Sequence, residues 1–190
     1  MPDRHHRGAR GAAEKMRRFV AGIVFAALSV IGTAGILAAQ SPTPPAASGP
    51  VADLNQLMRG LFFPHSNVVF LTQRQDPGAI KWAAEPSAST DPLTGVFGSW
   101  QAVENSALVI AEAADLLMTP GRKCSNGRDV PLTKPDWVRM VNQLREAGLV
   151  AYKAAQTKDR EKMIMASDVL NTSCAECHNK YRNRAASRCQ

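Results

Sequence analysis

The chain has 190 residues, 45% of them hydrophobic and only 6% aromatic, with 23 Lys and Arg against 16 Asp and Glu, a formal charge of +7. That length suits one modest domain, and the shortage of aromatics suits a helical one. The excess charge implies no nucleic-acid partner, because removing residues 1–39 leaves 17 Lys and Arg against 14 Asp and Glu, a formal charge of +3.

The chain opens with Arg4, Arg7, Arg10, Lys15, Arg17 and Arg18, and the run Phe19–Ala39 that follows carries no charge. A basic start, an apolar core and the small residues Ala38 and Ala39 predict a signal peptide over residues 1–39. The alternative is an uncleaved membrane anchor through residues 19–39, since an apolar run of this length can span a bilayer. Both put the folded part outside the cytoplasm, in the periplasm, because the positive end stays inside. Residues 40–50 hold four prolines among small residues and read as a linker. The folded domain is expected over residues 51–190.

Val51, Leu54, Leu57, Met58, Leu61 and Phe62 line one face of a first helix, which Pro64 should interrupt or kink. Residues 66–70, SNVVF, are open between strand and helix, and residues 73–99, broken by Pro77, Pro86 and Pro92, read as a long loop. Trp100, Val103, Ala107, Ile110, Ala114 and Leu117 form a heptad-like seam that Pro120 and Gly121 end. Trp137, Val141, Leu144, Gly148, Ala151 and Ala155 mark a third helix, with Pro135 suited to its first turn. Met163, Ala166, Leu170, Cys174, Cys177 and Tyr181 mark a fourth. Four amphipathic helices with small residues on their seams predict an all-α fold, an antiparallel four-helix bundle. Trp100 and Trp137 are expected in the core at helix starts, and Met118, Met140, Met163 and Met165 as packing residues.

The chemistry is concentrated in Cys174, Ala175, Glu176, Cys177 and His178. Two thiols three positions apart lie on one side of a helix and can add to neighbouring vinyl groups of a porphyrin, while the adjacent imidazole turns toward the iron. In an exported chain this C-x-x-C-H spacing reads as attachment of one covalent haem c, with the motif on the C-terminal helix. A thioredoxin-like dithiol belongs at a helix start in a βαβ context, and a zinc site needs ligands that Cys124, Cys189 and His65 do not supply at matching spacing. In an oxidising compartment Cys124 and Cys189 are candidates to pair, and two free thiols are the alternative.

With its haem motif near the C-terminus, the sequence resembles the class II c-type cytochromes, the cytochrome c prime family, whose bundles carry the motif on the last helix. CAECHNKYR is similar to that family's C-x-x-C-H-x-x-Y-R ending. The resemblance implies that Tyr181 packs beside the haem, that Arg182 lies near its proximal face or a propionate, and that a homodimer is an option. It also points to LNQLMRGLFF, in the first helix, as the wall opposite His178.

The sixth iron position separates the functional readings. Met58 as ligand favours an electron carrier serving a redox partner protein, whereas a wall of Leu54, Leu61, Phe62 and Phe63 leaves the iron open to a small gas, nitric oxide or carbon monoxide. Met58 also fits as core filler, and His65 is a weaker ligand candidate. No phosphate-binding glycine loop or nucleophile with an evident base suggests an enzyme.

Overall fold

The computed structural model describes residues 49–189, so the expected leader and all but the end of the linker lie outside the described residues. The described residues belong to the compact unit Ala47–Gln190. They are mostly helical and contain no strand, only an isolated bridge between Lys123 and Asp129. Among them no helix is long and apolar enough to cross a membrane.

Among the described residues, four long helices carry the fold. The first, α1, runs as Leu54–Leu57, Met58–Phe62 and Phe63–Leu71 without a break, so residues 66–70 are helical. It does not stop at Pro64. Its middle stretch is a π-turn, with the Phe63 amide donating to the Met58 carbonyl five residues back. The physical reason is Pro64 itself, which lacks an N–H and whose ring would collide with the Gly60 carbonyl in a regular α-turn. The helix also starts later than its apolar spacing suggests. Asp53 accepts from the Gln56 amide at 2.7 Å while Gln56 returns the bond at 2.9 Å, a reciprocal cap that leaves Val51 outside and 97% exposed.

The long connection after α1 contains short 3₁₀ turns at Pro77–Ala79 and Pro86–Ala88. α2, Ser99–Ala113, tightens into a 3₁₀ stretch over Ala114–Met118. α3, Pro135–Gln156, has its proline in the first turn, where a missing N–H costs nothing. α4, Arg160–Tyr181, is capped by the Asp159 carboxylate, which accepts from the amides of Glu161 and Lys162.

The core follows the predicted seams. Val103, Ala107, Ile110 and Ala114 of the second seam are buried, as are Trp137, Val141, Ala151 and Ala155 of α3 and Met163, Ala166 and Leu170 of α4. α2 and α3 touch closely enough that a Cβ on Gly148 would lie 2.7 Å from the Ala111 backbone nitrogen. Small seam residues are therefore what sets this helix pair's spacing. Met165 departs from its expected packing role: it is 62% exposed, on the outer side of α4. Along α4 the seam is dry as far as Leu170 and then half-open at Cys174 and Cys177.

Candidate functional site

That opening is a cavity of about 650 Å³, within the usual range for a small-molecule or cofactor site. Cys174, Cys177 and His178 line one wall. Met58, Phe62, Phe63 and Phe70 of α1 line it also, and Ile110, Leu117, Val141, Leu144 and Leu170 supply further apolar lining. The periodicity of α4 explains the first group. Cys174 and Cys177 continue the stripe of Met163, Ala166 and Leu170, so the same phase that buries those residues turns both sulfurs inward.

The electrostatics do not suit a reactive dithiol. Burial raises the thiols of Cys174 and Cys177 to about 11, and for Cys177 the neighbouring Cys174 and Asp136 add to the rise. Both are therefore neutral thiols at neutral pH, whereas redox-active C-x-x-C pairs depend on a lowered value. Burial, then the nearby Arg182 charge, lowers His178 below the ordinary imidazole value, which favours the neutral, metal-competent ring. Among the described residues no group of three or more His, Cys, Asp or Glu is gathered as a metal site.

The cavity also has a polar rim. Arg59 and Arg182 both line it, and neither has a carboxylate partner among the described residues. Arg182 donates from Nε only to Asn183 Oδ1, at 3.1 Å. Ser173 Oγ, on the same wall as the cysteines, is buried without a hydrogen-bond partner among the described residues. A flat, mainly apolar group with two carboxylates, attached through both sulfurs and ligated by an imidazole, fits this donor set: apolar walls, two guanidinium groups without a carboxylate partner among the described residues, and a neutral His. The residues present thus fit a haem c.

Tyr181 lies outside the main cavity. Its hydroxyl donates to Asp136, its ring meets Trp137 edge-on at 4.9 Å, and it borders a separate cavity of about 40 Å³ together with Cys177, His178 and Trp137. His65 is not at the cavity either: Nδ1 lies 3.3 Å from Ser106 Oγ on α2, and burial lowers its pKa. Of the expected apolar wall, Phe62 and Phe63 line the main cavity, Leu54 borders only the small one, and Leu61 neither.

Sequence reasoning missed Arg59. It follows Met58 directly, and Asn55, Arg59, Ser66 and Asn67 share the 3–4 spacing of the aromatic lining residues, so a mixed face that reads as merely solvent-facing also forms the cavity's rim. It also left the Cys124–Cys189 pairing open, and the structure forms that disulfide, with Cα atoms 4.8 Å apart. Cys174 and Cys177 stay unpaired. A shallower groove of about 830 Å³ lies on the outer side of α3 and α4 and contains neither cysteine nor His178.

No protein-family model, curated protein or solved structure matches this chain.

Proposed function

We propose that this chain is an exported monohaem c-type cytochrome, similar to the class II family, in which an antiparallel four-helix bundle holds one haem c for single-electron transfer. One observation carries the reading: both thiols of the C-x-x-C-H motif and its imidazole line a single cavity of about 650 Å³ whose lining on α1 contains Met58. When bound there, a haem supplies reversible one-electron chemistry at iron. The chain's own residues do the rest. Cys174 and Cys177 would hold the group through thioether links, and His178 would present a neutral ring nitrogen. The apolar lining keeps water out, and Arg59 and Arg182 offer guanidinium forks to the two propionates.

A second reading has its own support. Phe62 and Phe63 stand beside Met58 in the cavity lining, and Phe63 is 66% exposed, a bulky apolar group at the edge. That composition suits an open iron position that binds nitric oxide or carbon monoxide. The test is a visible spectrum of protein matured with haem-attachment machinery, oxidised and reduced, with and without carbon monoxide, after covalent haem is verified by mass. A low-spin reduced spectrum indifferent to carbon monoxide supports electron transfer. A high-spin spectrum that shifts with the gas supports gas binding, and a chain without covalent haem overturns both.

A further inference from the structure

The connection between α2 and α3 does more than join two helices. Within three consecutive residues it holds both walls of the cavity. Arg122, only 6% exposed, donates from Nη1 to the Ala52 carbonyl at 2.5 Å, from Nε to Leu116 at 3.0 Å and from Nη2 to Thr119 Oγ1 at 3.4 Å. The carbonyl of Lys123 accepts from the Leu54 amide at 2.8 Å, the first residue of α1. Cys124 is bonded to Cys189, whose amide donates to the Tyr181 carbonyl at 2.7 Å at the end of α4. Asn126 and Arg128 add bonds to the carbonyls of Arg188 and Ala186 in the same tail.

The attachment points matter because of where they fall. Leu54 is one turn before Met58, and Tyr181 is three residues after His178. Among the described residues, direct hydrogen bonds linking the α1 segment to α4 occur only at the opposite end: Gln73 donates to Ser167 and Asp168, and Arg160 donates to the carbonyls of Thr72 and Gln73. At the cavity end the polar link between the two walls runs through residues 122–124. Arg122 is a buried cation with only carbonyl and hydroxyl acceptors, an arrangement that holds those backbone groups in place and is costly to leave half-made.

We propose that residues 122–124 are a clamp that sets the separation of Met58 and His178, with Arg122 as a positioning residue for the sixth iron site. The inference rests on the haem reading above and concerns what keeps that site closed or open. Loosening either jaw lets the start of α1 move away from α4, so an incoming ligand gains access.

The test uses the full chain, matured with haem, in three forms: Arg122→Met, the pair Cys124→Ser with Cys189→Ser, and Arg160→Met as a matched loss at the far end of α1. Two measurements are made well below melting: hydrogen exchange of the amides of residues 54–58, and the rate and extent of carbon monoxide uptake by the ferrous protein. The clamp predicts about tenfold faster exchange in both clamp variants, the size expected for one lost hydrogen bond, with a parallel rise in carbon monoxide uptake and neither change in Arg160→Met. Exchange and uptake equal to those of Arg160→Met overturn it. Faster exchange with unchanged uptake reduces Arg122 to a helix cap and also overturns it. A wild-type chain without covalent haem mass fails the haem reading separately, and the exchange measurement on that chain still decides whether the clamp holds α1.

Discussion

Tyr181, the last residue of α4, donates its phenolic hydrogen to Oδ2 of Asp136 in the first turn of α3, at 3.0 Å. The same carboxylate pairs with Lys180, and the Tyr181 ring lies edge-on to Trp137. One acidic side chain thus fixes the end of the helix that carries Cys177 and His178. Replacing Tyr181 with Phe keeps the ring contact and removes only the hydrogen bond, and should cost about 1 kcal/mol in urea unfolding. A loss indistinguishable from zero would mean that the ring alone holds the helix end.

Acid should weaken the same contact. The Lys180 hydrogen bond, and after it Tyr181, hold the Asp136 carboxyl below its ordinary value against the opposing effect of burial. A depressed carboxyl stabilises the fold above its unfolded pKa, about 4, and that contribution disappears as pH falls through the lower folded value. Asp136→Asn should therefore be less stable than the wild type at pH 7, and the gap should close in melting curves taken progressively below pH 4. Tyr181 has the opposite sign. Burial, then Asp136, raises its hydroxyl to about 12, so its contribution is complete below about pH 10 and lost as pH rises toward 12.

Gly148 tests the spacing of α2 and α3. An added Cβ would meet the Ala111 nitrogen at 2.7 Å and its Cα and Cβ at 3.0 Å, helix backbone and its first side-chain carbon rather than the far end of a flexible side chain. Gly148→Ala should destabilise by about 1–3 kcal/mol despite alanine's better helix propensity. A stabilised variant in thermal unfolding would mean that α2 yields at this crossing.

The Cys124–Cys189 bond closes a loop with a sequence separation of 65 residues. Loop-closure entropy assigns about 4 kcal/mol to such a crosslink. The Cys124→Ser, Cys189→Ser pair should lower unfolding stability by up to this amount, measured without reductant so that only the variant lacks the bridge. Equal midpoints for variant and wild type would show that the bond does not form.

Met58→Ala distinguishes the two haem readings. If Met58 ligates iron, the variant changes from a low-spin six-coordinate spectrum to a high-spin one and gains carbon monoxide binding. An unchanged spectrum removes Met58 from the coordination sphere and leaves it as lining beside Phe62.

Much of this was legible in the residues. Trp100, Val103, Ala107, Ile110, Ala114 and Leu117 repeat with a period that only a helix satisfies, and every one of them is buried. Helix α1 was harder to delimit, because a proline ordinarily signals an end. Whether a widened turn absorbs it depends on the packing on both sides, which local spacing does not contain.

The sequence by itself determined the helical periods, the stripe that turns Cys174 and Cys177 to one side of α4, and the C-x-x-C-H spacing, because each depends on neighbours within a few turns. Tertiary structure alone decided that Arg59 shares a cavity with His178, that Tyr181 turns to Asp136 rather than into that cavity, that His65 faces Ser106, and that residues 122–124 tie the start of α1 to the tail after α4. Those contacts join residues far apart in the chain. Their geometry is set by how whole helices pack, and periodicity along one helix says nothing of which other helix stands opposite.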